Sequence, residues 1–272
     1  MAGPRSAKVV LGYDVHGPAD APALVLGPSL GTIRDVWDPQ LEPLSRHFKV
    51  IRYDHRGHGD SAVPPGPYTM PELAEDVLDL VDVLGIERFS YAGISLGGMI
   101  GMTLAATQPD RVERLALCFT SAHMPPAEGW LDRAARVRAG DTAAVTDAVV
   151  ARWFTPSFAE REPVTHARYR AMLEGTLDEG YAGCCEAIAS MDLRSLLPGI
   201  TAPTLVIAGA EDAAAPPPHA EAIVEVVVSA RLQVVPGAAH LGNVERAEEC
   251  TALLLEHLTG QLTGRRMGKE QR

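Results

Sequence analysis

The stretch Tyr91-Ala92-Gly93-Ile94-Ser95-Leu96-Gly97-Gly98-Met99 contains the pattern Gly-x-Ser-x-Gly, with Ser95 at its centre. Residues 89–92 form an apolar run typical of a buried strand, and residues 99–107 are compatible with a helix. A sharp turn between a strand and a helix holds such a serine in a strained backbone conformation with its hydroxyl exposed. Gly93 and Gly97 stand where a Cβ atom would crowd the turn. A chance match is the alternative, but the flanking strand and helix favour a nucleophile elbow at Ser95.

The chain before residue 122 alternates between strand and helix patterns. The helical pattern is clearest over residues 70–84, where apolar side chains recur at helical spacing. Apolar runs predict strands at residues 8–15, 23–26, 48–53, 89–92 and 114–119. Such alternation indicates an α/β fold with a mostly parallel sheet flanked by helices on both faces.

A helical segment interrupts this alternation. Residues 123–196 contain helical patterns and no convincing strand, and strand patterns return at residues 204–208 and 232–235. The predicted helices of the second half are residues 127–139, 141–154, 162–173, 181–190, 217–228 and 245–258. We therefore predict three parts, which are an α/β core of residues 1–122 and 197–262, an inserted helical cap of residues 123–196, and a flexible basic tail of residues 263–272. The cap would cover the carboxyl ends of the strands, where open parallel sheets bind ligands.

The overall charge narrows the class of partner. The 272-residue chain carries a net charge of −11, which argues against nucleic acid or an anionic membrane as a partner. An anionic substrate would therefore need cations close to its binding site. No apolar run approaches the roughly 20 residues of a membrane span, and residues 1–8 contain no apolar signal core. We expect a cytoplasmic protein that binds a small molecule, and the sequence leaves open whether it forms a homo-oligomer.

Two groups of residues have the composition of a metal site but not the spacing. The cysteines show no Cys-x-x-Cys pair, so we expect reduced, buried thiols at Cys118, Cys184, Cys185 and Cys250. Residues 54–61 read Asp-His-Arg-Gly-His-Gly-Asp-Ser. The glycines in this loop favour a tight turn with buried polar pairs over a metal site. We predict a structural role for the loop, with no metal and no cofactor.

A serine hydroxyl becomes a nucleophile when a base takes its proton and a third group orients that base. Folds that use this elbow supply the partners in the order serine, acid, histidine. Asp212 follows the strand at residues 204–208 and is the predicted acid, with Glu211 as its competitor and a solvated loop carboxylate as the alternative. His240 lies between the last strand and the last helix, and it is the histidine that this order requires.

The oxyanion of an acyl-transfer reaction needs two backbone N–H donors. The first is predicted at Leu96, directly after the nucleophile. The second is predicted within residues 29–31, with Leu30 preferred. The alternative interpretation of residues 27–32 is an ordinary Gly/Pro turn.

Several motifs resemble those of the α/β-hydrolase family, and among its members the chain is most similar to the 3-oxoadipate enol-lactonases. The family-wide likeness lies in residues 53–61 and 93–98. The narrower likeness lies in Ser-Leu-Gly-Thr at residues 29–32, Gly-Met-Ile-Gly-Met at 98–102, Gly-Trp-Leu-Asp-Arg at 129–133 and Ala-His-Leu-Gly-Asn-Val-Glu at 239–245. Pro28 stands where such enzymes more often show Asn or His.

The resemblance implies the α/β-hydrolase fold and hydrolysis of 3-oxoadipate enol-lactone, a step of aromatic catabolism in the β-ketoadipate pathway. Because that lactone carries a carboxylate, the cap must offer it a cation. Trp130 and Arg133 share a helix face and are the predicted substrate-binding pair, with Arg136 and Arg138 as alternatives. The other functions considered are a carboxylesterase, a cofactor-free perhydrolase or haloperoxidase acting on small neutral esters, and a non-catalytic binding protein.

Overall fold

The computed structural model describes residues 8–260, and its centre is one seven-stranded sheet. The strands are β1 Tyr13–His16, β2 Ala23–Gly27, β3 Lys49–Tyr53, β4 Phe89–Ile94, β5 Val112–Cys118, β6 Thr204–Gly209 and β7 Ala230–Val235. Their order is β1-β3-β2-β4-β5-β6-β7, and β1 alone among them runs antiparallel to its neighbour. The mostly parallel sheet is confirmed, whereas the predicted tail at residues 263–272 lies outside the described residues.

Helices account for most of the remaining chain. Their bounds are α1 Asp38–Ser45, α2 Met70–Val83, α3 Leu96–Thr107, α4 Ala127–Gly140, α5 Ala143–Val150, α6 Pro156–Arg161, α7 Pro163–Glu174, α8 Asp178–Ser190, α9 Pro217–Val224, α10 Gly242–Glu245 and α11 Ala247–Thr259. Short 3-10 helices occupy Arg34–Trp37 and Leu197–Gly199.

The observed elements differ from the predicted ones at several places, and the helices predicted at residues 141–154 and 217–228 end earlier, at Val150 and Val224. The first strand begins at Tyr13 rather than at residue 8, because the carbonyls of Val10 and Gly12 accept hydrogen bonds from the loop at residues 54–62 instead of from a strand. Helix α6 was not predicted, although Thr155 caps it and a proline follows the cap. The helix predicted at residues 245–258 is two helices, since Arg246 between them has non-helical dihedral angles.

Strand β4 lies in the middle of the sheet, between β2 and β5, and all six of its residues are buried. A strand covered on both faces reads as a continuous apolar run rather than as an alternation, which is why the sequence showed it clearly. Since β4 ends at Ile94, the backbone enters the turn at Ser95 from a fully buried central strand.

Helices α4 to α8, here called the helical insert, lie between β5 and β6 in the chain. Helix α8 comes very close to the loop of residues 54–61 where Gly57 meets Gly180. A Cβ atom added to Gly180 would lie 2.3 Å from the Cα of Gly57, so both backbones touch without side chains between them. The division of the chain into a core and a cap stays a prediction.

This contact gives a test of how the insert is held. Gly180→Ala should lower the free energy of unfolding by about 1–3 kcal/mol or more, because a backbone would have to move. The matched control is Gly129→Ala in α4, where an added Cβ meets nothing within 4 Å. That variant should gain up to about 1 kcal/mol from helix propensity. Urea unfolding of both variants checks the prediction, and equal stabilities would refute the close contact.

Candidate active site

Ser95 lies in a turn between β4 and α3, with a φ of 52° and a ψ of −113°. Positive φ is rare for a residue with a side chain and stores strain. A Cβ atom on Gly93 would lie 2.2 Å from the carbonyl oxygen of Gly97, so the turn requires glycine there. The Ser95 N–H donates to the Cys118 carbonyl at 2.9 Å, and the Thr120 hydroxyl donates to the Ser95 carbonyl at 2.7 Å. Neighbouring β5 therefore holds the strained residue in place.

The structure brings Ser95, His240 and Asp212 together, although they are far apart in sequence. Nε2 of His240 lies 2.9 Å from Oγ of Ser95, and Nδ1 lies 2.9 Å from Oδ2 of Asp212. His240 follows β7, and the helical insert fixes the backbone of its loop. The His240 N–H donates to the Arg152 carbonyl at 3.4 Å, and the Leu241 N–H donates to the Trp153 carbonyl at 2.8 Å.

Asp212, rather than its neighbour Glu211, faces the imidazole. Asp212 is buried, and its Oδ1 accepts hydrogen bonds from the N–H groups of Ala214 and Ala215 at 2.8 and 2.9 Å. Burial alone would raise the pKa of Asp212, but the charge of His240 and the hydrogen bonds from His240, Ala215 and Ala214 together lower it below its usual value. The carboxylate is therefore ionised at neutral pH. Glu211 is exposed to solvent.

Two backbone donors are available beside Ser95. Leu96 is the first residue of α3, and Leu30 lines the same cavity as Ser95 and His240. Within residues 8–260, neither the Leu30 N–H nor the Leu96 N–H donates a hydrogen bond to a protein acceptor. Free donors at a helix start can receive negative charge.

The loop of residues 54–61 fixes the segment that carries Leu30. Nε2 of His55 donates to the Pro28 carbonyl at 2.8 Å, and Nε2 of His58 accepts from the Gly31 N–H at 3.0 Å. Burial and the nearby charge of His58 lower the pKa of His55 to about 3. Burial lowers the pKa of His58 to about 4. A neutral imidazole is required for His58 to accept this bond.

The remaining polar residues of that loop are paired within the protein. Arg56 forms a two-pronged ion pair with Asp76, and Asp54 accepts hydrogen bonds from the backbone and the guanidinium of Arg34. Among residues 8–260, no group of three or more His, Cys, Asp or Glu side chains is arranged to hold a metal ion. All four cysteines are free and buried.

A cavity of about 60 Å³ opens above Ser95. Its walls come from the loop at residues 29–30, from α3 and from the helical insert, and they include both predicted substrate-binding residues. The guanidinium of Arg133 lies 4.5 Å from the ring centroid of Trp130, and the indole N–H of Trp130 donates to the Met124 carbonyl at 3.0 Å. Several other residues that line the cavity were not predicted from the sequence, namely Met124, Val149, Arg152, Trp153 and Tyr181.

The alternative cations predicted on α4 are engaged elsewhere. Arg138 forms ion pairs with Glu179 and Glu186, and Arg136 donates to the Ala144 carbonyl. Neither lines the cavity of Ser95.

In the part of the chain that the structure describes, no helix has the length and apolar character needed to cross a membrane.

Comparison with known proteins places this site in a family. Residues 22–247 match the family described as alpha/beta hydrolase fold. The chain is 38% identical over 240 residues to 3-oxoadipate enol-lactonase 2 of Acinetobacter baylyi, which covers 88% of this chain and 90% of that protein.

Two solved structures extend the likeness to three dimensions. The enol-lactonase from Burkholderia xenovorans LB400 superimposes with a TM-score of 0.90 and 45% identity, covering 92% of this chain and 96% of that one. A thermophilic esterase from Thermogutta terrifontis, solved with malate bound, superimposes with a TM-score of 0.88 and 30% identity, covering 93% and 94%. This chain belongs to the family of proteins with the alpha/beta hydrolase fold.

Proposed function

We propose that this hydrolase opens 3-oxoadipate enol-lactone to 3-oxoadipate. The observation that carries the proposal is the chain of two 2.9 Å contacts from Ser95 through His240 to Asp212, beneath a cavity lined by Arg133 and Arg152, neither of which forms an ion pair with a carboxylate of residues 8–260. The enol-lactonases among the relatives support the choice of substrate. The proposal uses only groups that the chain itself supplies.

Acylation begins at Ser95. Oγ attacks the lactone carbonyl carbon while Nε2 of His240 takes the hydroxyl proton. Ionised Asp212 accepts the Nδ1–H bond, which fixes the tautomer and stabilises the imidazolium as it forms. The negative charge that develops on the carbonyl oxygen is received by the free N–H groups of Leu30 and Leu96, each worth about a hundred- to a thousand-fold in rate in comparable sites.

Collapse of the tetrahedral intermediate breaks the bond between the carbonyl carbon and the ring oxygen. The leaving group is an enolate, which takes a proton from His240 and tautomerises to a ketone. Ring opening leaves the whole carbon chain attached to Ser95 as an ester. A water molecule, deprotonated by His240, then attacks this ester and releases the second carboxylate.

The carboxylate that the lactone already carries needs a cation, and Arg133 is suited to bind it. Arg133 forms no ion pair with a carboxylate of residues 8–260, and its guanidinium stays close to Trp130 and to the Tyr181 hydroxyl. A guanidinium held on an aromatic face presents its N–H fork in one orientation, which matches the two oxygens of a carboxylate. Trp130 would contact the apolar part of the lactone.

The acid can be tested against its neighbour. Asp212→Asn should keep the fold but lower turnover by about a thousand-fold or more, because an amide orients the wrong tautomer of His240. Glu211→Gln is the matched control, since it changes an adjacent carboxylate that is exposed. Its turnover should equal that of the wild type. Steady-state rates with either lactone or ester decide the point, and the reverse ranking would assign the role to Glu211.

The substrate can be tested with a panel of three compounds. We expect the highest kcat/KM with 3-oxoadipate enol-lactone, compared with a neutral lactone and p-nitrophenyl acetate. Arg133→Ala should reduce kcat/KM for the anionic lactone by about ten- to a hundred-fold, the loss of a charge-assisted contact, and should spare the neutral ester. Arg136→Ala, which removes an exposed arginine outside the cavity, is the control.

Carboxylester hydrolysis is the second candidate, favoured by the likeness to the malate-bound esterase. If p-nitrophenyl acetate is turned over faster than the enol-lactone and Arg133→Ala changes neither rate, this candidate replaces the first. Equal losses with both substrates would instead give Arg133 a role in folding. The same site chemistry serves both reactions, so the panel distinguishes substrates and not mechanisms.

A further inference from the structure

Arg152 stands at the junction of two cavities. It lines the cavity that contains Ser95 and His240, and it also lines a second, larger cavity of about 480 Å³, here called the outer cavity. The outer cavity borders the loops that carry the predicted acid and base, because its walls include Glu211 and Ala239. Arg152 therefore borders both the cavity of Ser95 and the outer cavity.

The outer cavity is rich in unpaired positive charge. Three arginines line it, namely Arg152, Arg161 and Arg246, and none of them forms an ion pair with a carboxylate of residues 8–260. Two glutamates share the wall, so the local charge stays positive although the whole chain carries −11. A cluster of positive charges on a chain of negative net charge creates a local electric field that attracts anions to the opening of the cavity.

One of the two acids is already used by the protein. Glu245 accepts a hydrogen bond from the Ala239 N–H at 2.9 Å and further bonds from the backbone and hydroxyl of Thr155. These bonds join the base loop to the start of α6. The carboxylate of Glu245 is thus already hydrogen-bonded to Ala239 and Thr155. In contrast, the guanidinium groups of Arg152 and Arg161 have no hydrogen-bond acceptor among the described residues.

The backbone of Arg152 is fixed with respect to the site. Its carbonyl accepts from the His240 N–H, and the next residue, buried Trp153, accepts from the Leu241 N–H. Arg152 itself is exposed to solvent and lines both cavities. A guanidinium on a long side chain with a fixed backbone is suited to bind a carboxylate at the boundary between the two cavities.

We infer that the outer cavity is a collecting site for small organic carboxylates, and that Arg152 links it to the cavity of Ser95. The inference rests on the proposed function, since the lactone is an anion and its hydrolysis product has two carboxylates. An overall charge of −11 repels such molecules. The three arginines make the local electrostatic interaction attractive at the outer cavity, where these anions would enter and leave.

The inference predicts the sign of a salt effect. If only the overall charge acted on an anionic ligand, added salt would screen the repulsion and strengthen binding. A local cationic site has the opposite effect, because salt screens the attraction. Binding of a dicarboxylate should therefore weaken as ionic strength rises.

Adipate is the probe, and its dissociation constant can be measured by calorimetry on the full chain, with no turnover required. We expect Arg152→Gln to weaken adipate binding by about ten-fold or more at low salt, and Arg161→Gln to weaken it less. Arg170→Gln is the matched control, because it removes an equal charge from the same insert at an arginine already paired with Asp147 and Glu174. Adipate binding should weaken for the wild type between about 0.02 and about 0.3 M salt.

The outcomes separate this inference from the proposed function. No adipate binding by the wild type, binding that strengthens with salt, or equal binding by wild type and Arg152→Gln would overturn the collecting site. If Arg152→Gln does not fold, an unchanged dissociation constant in Arg161→Gln would overturn it instead. If adipate binds as expected but the enol-lactone is not hydrolysed, the proposed substrate is wrong and the carboxylate site stands.

Discussion

The positive φ of Ser95 is the constraint on which the rest of the site depends. Holding a residue with a side chain in such a conformation costs about 1–3 kcal/mol. The surrounding structure offsets this cost with the bond to the Cys118 carbonyl, the bond from Thr120 and the contact between Gly93 and Gly97. Cys118 is the last residue of β5, and Thr120 lies two residues after it. The pairing of β4 with β5 therefore sets where the serine hydroxyl points.

The helical insert has two roles that the topology explains. It follows β5 in the chain after a short connection, and β5 ends at the same edge of the sheet as β4, which leads into Ser95. Its α5–α6 connection accepts the backbone hydrogen bonds of the His240 loop, while α4 brings Trp130 and Arg133 over the cavity. In the proposed reaction, a single segment thus positions the base and encloses the substrate. Shifting it would change binding and proton transfer together.

Much of the fold was predictable, because buried parallel strands read as apolar runs and the elbow pattern is short and strict. The positions of Asp212 and His240 followed from their places after β6 and β7. Other features were not predictable, because they depend on contacts distant in sequence. The bond from the Gly31 N–H to His58 joins two loops whose nearness only the sheet order reveals. The sequence predicted a helix over residues 141–154, but α5 ends at Val150 and Arg152 lies in the turn that follows, so the helical pattern did not indicate that Arg152 faces the cavity.

The central claim is that Ser95 is a nucleophile activated by His240. The most direct measurement is reaction of the folded protein with a small p-nitrophenyl phosphonate, followed by mass spectrometry of the intact chain and of its peptides. We predict one phosphonyl group per chain, attached to Ser95, and labelling that is slowed by a factor of about a hundred or more in His240→Asn. Labelling of another residue, or an equal rate in the His240 variant, would contradict the account.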